Sequence, residues 1–183
     1  MLKKVISGGQ TGADEAGLYV AQSFKIQTGG FAPKGWITKT GPNLMLRDVY
    51  GLTESMGGYK KRTWENVEHS DGTIRLAYSF NSPGEICTLN AINHFKKPCF
   101  DVDLNSQPEP IQCCEWIIMN DIKTLNIAGN TETSKRKVFS IAGSYLNAVF
   151  KILDFQNLIH RMGEKNVSTR KIRTKQNSEK GAF

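Results

Sequence analysis

Histidine, cysteine and long apolar runs are all scarce in this chain. The three histidines are dispersed with no ligand-like spacing, and the four cysteines include no C-x-x-C pair, so no metal site is predicted. No Ser-His-Asp or Cys-His arrangement can be assigned either. No run approaches the roughly 18 apolar residues that a membrane span needs. These gaps argue against a metalloenzyme, a triad hydrolase and a membrane protein.

The cysteines, Cys87, Cys99, Cys113 and Cys114, indicate a reducing compartment. Three of them sit among apolar residues of predicted helices or strands, which is typical of buried, reduced thiols. A strand pattern already begins at Lys3, so we expect no signal peptide. We therefore predict a cytoplasmic protein.

Positive charge is concentrated at one end of the chain. The formal net charge is +7, but residues 161–183 hold seven basic and two acidic residues, against 17 and 15 in the rest. From Asn166 onward large apolar residues are few, which favours a disordered tail. We predict one ligand-binding domain over residues 1–160 and a basic tail over 161–183. The tail could contact nucleic acid, but a solvated end is favoured because no aromatic residues are interleaved with its charges.

Strand and helix patterns alternate along the predicted domain. We predict strands at 3–7, 26–28, 73–78, 98–102 and 124–128, and helices at 13–24, 59–69, 83–95, 110–120 and 138–160. Asn81 or Ser82 is expected to cap the helix that begins at Pro83. Residues 29–57 are predicted to be a long irregular loop. Together these patterns predict an α/β fold, a Rossmann-like three-layer sandwich with a mostly parallel sheet of about five or more strands and helices on both faces.

Glycine-rich or polar turns follow four of the predicted strands, at residues 7–14, 29–35, 79–85 and 129–135. In such sheets ligands bind beyond the carboxyl ends of the strands, so we expect these turns to converge on one site. The first turn reads Ser7-Gly8-Gly9-Gln10-Thr11-Gly12-Ala13-Asp14. Its glycines would let the backbone approach an anion, and the helix after it would point N–H groups at that anion. The run matches neither G-x-G-x-x-G nor a P-loop, and an empty tight turn is the alternative.

Polar side chains in or near these turns are the candidate ligand contacts. Asp14 either bonds a neutral part of a ligand or caps its helix. Lys34 either reaches an anion or is a solvated loop lysine. Arg62 and Asn66 lie four residues apart on one helix face, which either clamps a ligand or forms a polar outer surface. Lys61 and Glu65 look like ordinary surface support, and Trp64 is expected to pack rather than to stack on a ligand.

Two later turns add further candidates. Thr88 could complete an anion-binding nest in the first turns of its helix. Ser134 and Lys135, after the Gly129 turn, could do the same, although a short basic run is usually a solvated face.

Several of these runs, in this order, resemble the putative molybdenum-cofactor carrier family. They are residues 7–14, 29–35, 52–54, 59–67, 70–73, 125–129 and 134–135. The resemblance covers roughly residues 1–150. The family belongs with a Rossmann-like superfamily that includes the lysine-decarboxylase-like cytokinin-activating enzymes and DNA-processing protein A.

This resemblance implies binding of a phosphorylated pterin or nucleotide-derived ligand at the C-terminal edge of the sheet, with molybdopterin or a nucleotide as the group bound and no metal held directly. We also expect a homo-oligomer. The implied ligand-binding residues are Ser7, Gly8, Gly9, Gln10, Thr11, Gly12, Asp14, Lys34, Arg62, Asn66, Pro83, Gly84, Glu85, Thr88, Gly129, Ser134 and Lys135.

The chain departs from the cytokinin-activating enzymes at the position of their catalytic glutamate. The cytokinin-activating enzymes carry Pro-Gly-Gly-x-Gly-Thr-x-x-Glu, and that glutamate acts in hydrolysis. Here Pro83 and Gly84 remain, but Ala91 stands three residues after Thr88, and Glu85 is at a different offset. We therefore predict binding without turnover. The alternatives are a nucleoside 5'-monophosphate N-glycosidase and a nucleic-acid-binding module that uses the tail.

Overall fold

The computed structural model describes residues 1–156 and 158. Its strands are β1 (Lys4–Ser7), β2 (Gln27–Gly29), β3 (Phe31–Ala32), β4 (Ile37–Thr38), β5 (Gly41–Pro42), β6 (Thr53–Glu54), β7 (Gly72–Ala77), β8 (Cys99–Asp103) and β9 (Thr124–Gly129). Its helices are α1 (Ala13–Ser23), α2 (Met45–Asp48), α3 (Tyr59–Glu68), α4 (Pro83–Phe95), α5 (Pro110–Met119) and α6 (Val138–Gln156). The predicted end of the last helix and the predicted tail lie outside the described residues.

Five strands form one parallel sheet in the order β2-β1-β9-β7-β8. The last strand of the sheet in sequence, β9, lies between β1 and β7, with Ile6 opposite Asn126 and Ile74 opposite Ile127. The carboxyl ends of β1, β9 and β7 are therefore neighbours. The Rossmann-like α/β prediction is confirmed, and this order brings the turns after three strands to one edge.

The main core lies between the sheet and helices α1, α5 and α6. All of β7 is buried, as expected for a parallel strand covered on both faces. Along α6 the buried residues recur at three- and four-residue spacing: Val138, Ala142, Tyr145, Leu146, Val149, Phe150 and Leu153. Within the described residues α6 alone is long and apolar enough to cross a membrane, which corrects the expectation that no run comes close. Its apolar stripe packs in the core instead.

All four cysteines are free thiols, as predicted. Cys113 and Cys114 are fully buried in the main core. Burial raises the pKa of Cys113 and of Cys99 to about 12. These thiols are therefore protonated and poorly reactive at neutral pH.

The segment between β2 and α3 is more ordered than the predicted loop. Strands β3 and β6 pair in parallel, β4 and β5 form a hairpin, and a 3₁₀ turn (Lys34–Trp36) and α2 complete the segment. A separate apolar cluster holds it against α1: Leu18, Ala32, Leu46, Tyr50 and Leu52. Two-residue strands are too short to show a period of two, so the sequence pattern does not reveal them.

Candidate functional site

A buried ion pair joins the first turn of α1 to α3. Arg62 Nη1 donates to Asp14 Oδ2 over 3.0 Å, and the two side chains are 11% and 5% exposed. Desolvation raises the pKa of the Asp14 carboxyl, and the positive charge of Arg62 offsets part of that rise. The pair lies 48 residues apart in sequence, so only the fold brings it together.

The space beside the glycines of the first turn is filled by other side chains of the protein. A Cβ added to Gly8 would coincide with the Arg62 guanidinium, so Gly8 admits that arginine to the sheet edge. Gly9, at φ +70°, faces Leu46 and Leu52 instead, 2.7 Å and 3.1 Å from an added Cβ. A larger residue at Gly9 would therefore disturb the apolar cluster under the 29–57 segment rather than block an anion directly.

Gln10 ties the same turn together. Its Oε1 accepts from the Thr11 N–H at 3.0 Å and from the Lys39 N–H at 2.7 Å, while its own N–H donates to Asp14 Oδ2 at 3.2 Å. The predicted anion-binding turn thus has backbone donors that are already bonded within the chain.

Asn66 anchors α3 from its inner face. Its side-chain amide accepts from the N–H of Phe31 and donates to the carbonyl of Phe31, each at 2.9 Å. Gly30, at φ +116°, permits this approach, because an added Cβ would lie 2.7 Å from Asn66 Oδ1. Asn66 is 2% exposed, which excludes the alternative of a polar outer surface for this face. The outer face carries the predicted pair of Lys61 with Glu65.

Trp64 packs, as predicted, rather than stacking on a ligand. It lies against the small apolar cluster between α3 and α4, which contains Val67, Ala91 and Ile92.

Glu85 is a buried carboxyl at the start of α4. The helix is capped by Ser82, whose Oγ accepts from the Glu85 N–H at 3.3 Å, so one of the two predicted caps is confirmed. Glu85 Oε1 accepts from Asn130 Nδ2 at 3.2 Å, whereas Oε2 is buried without a hydrogen-bond partner in the described part of the chain. Burial raises the pKa of Glu85 to about 7, although Arg75 and Asn130 oppose the shift. This carboxyl therefore changes charge near neutral pH.

These groups line one cavity of about 190 Å³ beyond the ends of β1 and β9. Of the predicted site residues, it brings together Gly8, Gln10, Asp14, Arg62, Asn66, Gly84, Glu85, Thr88 and Gly129. Thr88 contributes a buried side chain whose hydroxyl donates to the carbonyl of Gly84 at 3.0 Å. The cavity thus holds two carboxyl groups and one guanidinium.

Other predicted residues lie outside this cavity lining. Lys34, Pro83, Ser134 and Lys135 are exposed, and Ser134 lines a separate open cavity of about 790 Å³ together with Thr11. Gly12 packs against the backbone of residues 130–132. A side chain at this position would clash with that backbone. Ser7 is fully buried, and its Oγ finds no hydrogen-bond partner among residues 1–156 and 158.

Sequence reasoning missed six residues of the lining: Tyr59, Thr63, Asn126, Ile127, Ala128 and Thr131. Tyr59 precedes Arg62 by three residues and Thr63 by four, so the helical period could have found it. Asn126 is a buried amide between Leu125 and Ile127 in β9, and it donates to Thr73 Oγ1 at 3.2 Å. An isolated amide in a buried strand was a usable signal.

No group of three or more potential metal ligands occurs within the described range. The polar groups of the site are instead a guanidinium, amides, hydroxyls and carboxyls, which suit an organic ligand with hydrogen-bonding edges.

Known proteins agree with this architecture. A crystal structure of the putative molybdenum carrier protein from Syntrophus aciditrophicus SB has 32% sequence identity to this chain and a TM-score of 0.73, over 81% of this chain and 94% of that one. None of the curated proteins matches the chain. The circularly permutated YpsA SLOG family matches residues 5–150, which include every strand of the sheet from Val5 onward and all residues of the cavity. This chain therefore belongs to the circularly permutated YpsA SLOG family.

Proposed function

We propose that the cavity beyond β1 and β9 binds a phosphorylated pterin or a nucleotide-derived small molecule. The observation that carries this proposal is a pair of buried polar atoms, Arg62 Nε and Glu85 Oε2, that have no hydrogen-bond partner in the described chain. Each such atom costs about 1–3 kcal/mol when it is left unpaired. A ligand that supplies an acceptor to Arg62 and a donor to Glu85 would remove both costs.

The chemistry of the lining fits a heterocycle. A carboxyl group pairs well with the adjacent N–H groups of pterin and guanine rings, and Asn130 holds the Glu85 carboxyl by its other oxygen. Arg62 and the Gln10 N–H are donors of the kind that hold phosphate oxygens. The residues present therefore fit molybdopterin, with Glu85 toward the pterin ring and Arg62 toward the phosphate. When bound, that group would supply dithiolene sulfurs for molybdenum. The neighbour described as a molybdenum carrier agrees with this choice.

The direct test is identification of a ligand that copurifies with the protein, by mass spectrometry after denaturation. Calorimetry with purine and pyrimidine monophosphates and with pterin phosphates then measures affinity. We expect Arg62→Gln to weaken binding at least about tenfold, because a charged hydrogen bond is lost. Lys135→Ala, which removes an exposed charge outside the cavity, is the matched control and should bind like the wild type. Equal affinity of Arg62→Gln and wild type in a folded protein would refute the site.

Glu85 also favours a second candidate function, the N-glycosidase reaction. Its pKa near 7 suits a general acid that protonates a departing base, and Arg62 in the same cavity could hold the 5'-phosphate. In that reaction the base leaves with the proton of Glu85, water adds to the ribose carbon, and the proton that the water loses returns to the Glu85 carboxylate. Glu85 would then do the work of the missing family glutamate from another position.

The assay for this second function is incubation with nucleoside monophosphates and chromatography of the free base. Base release that disappears in Glu85→Gln, with ligand binding retained, would establish hydrolysis. Binding without base release would leave the protein a carrier. A cytoplasmic location and self-association stay predictions from the sequence.

A further inference from the structure

The Asp14 carboxylate accepts hydrogen bonds from two donors that could otherwise bind an anionic ligand. Its Oδ2 accepts from the Gln10 N–H at 3.2 Å and from Arg62 Nη1 at 3.0 Å. A backbone N–H in a glycine turn at a helix start, beside a guanidinium, is a common arrangement for binding a phosphate oxygen. One carboxylate oxygen of the protein therefore stands where an oxygen of the ligand would be expected.

The two donors are held in place by other contacts as well. Gln10 is fixed because its side-chain oxygen accepts hydrogen bonds from the N–H groups of Thr11 and Lys39. Arg62 lies over Gly8, on a helix that Asn66 fastens to β3. The donor geometry does not depend on Asp14 alone, so it can persist when another acceptor replaces that carboxylate.

The charges around the site oppose an added anion. Among the described residues Arg62 is the one cation of the cavity lining, and it is already paired, while Glu85 from α4 is a second carboxyl on the same cavity. Arg75, which donates to the carbonyl of Glu85 at 3.4 Å, is itself paired with Asp101. Phosphate entering beside Asp14 would meet like charge at short range, a repulsion that is strong where water is excluded. Glu85 Oε2 has no hydrogen-bond partner among the described residues, so it is available to accept from a ligand donor.

We propose that Asp14 is an internal competitor that an anionic ligand must displace from the Gln10 N–H and Arg62. This inference rests on the proposed function and adds a specificity rule to it. A simple anion gains little, because it exchanges one oxyanion for another at the same donors. A ligand that also donates hydrogen bonds to Glu85 gains additional contacts, so the site selects phosphorylated heterocycles over free phosphate.

Inorganic phosphate is the probe that tests this rule. Calorimetry should show that Asp14→Asn binds phosphate about tenfold more tightly than the wild type, because a competing charge has been removed from the donors. Glu15→Gln is the matched control, since it removes a carboxylate from the next position of α1, on the separate open cavity. It should stay within about twofold of the wild type. A similar gain in Glu15→Gln would mean a general charge effect and would overturn the proposal.

Phosphate affinity in folded Asp14→Asn that is equal to or weaker than wild type also overturns it. If Asp14→Asn does not fold, the wild-type ¹H–¹⁵N spectrum decides. Phosphate should shift the signals of the Gln10 amide and the Arg62 Nε–H, and their constancy at the highest phosphate concentration would refute displacement. Suppose that phosphate binds neither the wild type nor Asp14→Asn, while nucleotides or pterin phosphates bind the wild type. The proposal that Asp14 competes with the ligand is then refuted, and the proposed function stands. If neither phosphate nor the phosphorylated heterocycles bind, both this proposal and the proposed function are refuted.

Discussion

Helices α3 and α6 both pack against the body of the protein, but they bury opposite kinds of surface. The inner face of α6 is apolar and continuous with the main core. The inner face of α3 presents Arg62 and Asn66, which are bonded to Asp14 and to the backbone of Phe31. Burying polar groups is costly unless each finds a hydrogen-bond partner, so the polar inner face of α3 is less favourable for stability than the apolar face of α6.

The two faces differ in where their unpartnered polar atoms lie, because Tyr145 belongs to the main core and Arg62 lines the cavity. Along α6 the buried surface is mostly apolar, and Tyr145 Oη, which lies in the main core, has no hydrogen-bond partner among the described residues. Along α3 the pairing is incomplete, because Arg62 Nε has no partner in the described part of the chain. If the proposed function is right, α6 serves stability and α3 also serves the cavity. Substitutions on α6 should therefore lower stability alone, whereas substitutions on the inner face of α3 should also lower ligand affinity.

The largest effect is expected on α6. Phe150 is 1% exposed and meets Phe24 edge to face, so Phe150→Ala should lower the free energy of unfolding by about 3–5 kcal/mol. Ligand affinity of the folded protein should not change. Urea denaturation measures the loss, with Phe155→Ala, at a 63% exposed position of the same helix, as the control. A loss below about 1 kcal/mol would show that α6 is not a core helix.

Breaking the buried pair on α3 should cost both stability and binding. Arg62→Leu leaves the Asp14 carboxyl buried without its cation, a change that typically costs about 3 kcal/mol. Binding of the phosphorylated ligand should be lost as well. The double variant Asp14→Asn, Arg62→Leu should recover much of the stability but not the binding, as measured by urea denaturation and calorimetry. Recovery of both would mean that Arg62 has no direct part in the site.

Glu85 should make stability depend on pH in an unusual direction. Its pKa is raised from 4.5 to about 7 by folding, so the folded state keeps a proton that the unfolded chain loses. Stability from this group is full below pH 4.5 and falls as the pH rises through 7, by roughly 3 kcal/mol in total.

Glu85→Gln should remove that dependence. The variant should match the wild type near pH 4.5 and be more stable by roughly 2–3 kcal/mol at pH 8, while ligand affinity falls. Urea denaturation at the two pH values measures the difference, and Glu68→Gln, at an exposed position of α3, controls for loss of a carboxylate. A variant that is no more stable than wild type at pH 8 would show that the Glu85 carboxyl is not destabilised by burial.

The sequence predicted most of the fold because its elements carry local signals. Helix α4 begins and ends where predicted, since Ser82 caps it and Pro83 occupies its first turn. The sheet order was not predictable in the same way, because insertion of β9 between β1 and β7 depends on contacts distant in sequence. The two-residue strands of the 29–57 segment carry too little pattern to be recognised.

The convergence of the turns on one cavity was predicted in outline for a different reason. Turns after parallel strands share one edge, and this rule brought Asp14, Glu85 and Gly129 together correctly. It did not reveal that Asp14 pairs with Arg62, because no local pattern links positions 48 residues apart. It also placed Ser134 and Lys135 too close to the cavity, since position after a strand does not fix the path of a turn.

The smallest effect is expected on the outer face of α3, one position from Arg62. Lys61 Nζ lies 3.9 Å from Glu65 Oε1, and the lysine side chain is 56% exposed. Solvated pairs of this spacing contribute about 0.3–0.5 kcal/mol, so Lys61→Ala should change the free energy of unfolding by no more than that. Ligand affinity should be unchanged at moderate salt, because water and ions screen the charge. Urea denaturation and calorimetry of Lys61→Ala and of Arg62→Leu compare the outer and inner faces of the same helix. A loss of about 1 kcal/mol or a tenfold fall in affinity for Lys61→Ala would show that the site extends onto the outer face, and the contrast between the two faces of α3 would fail.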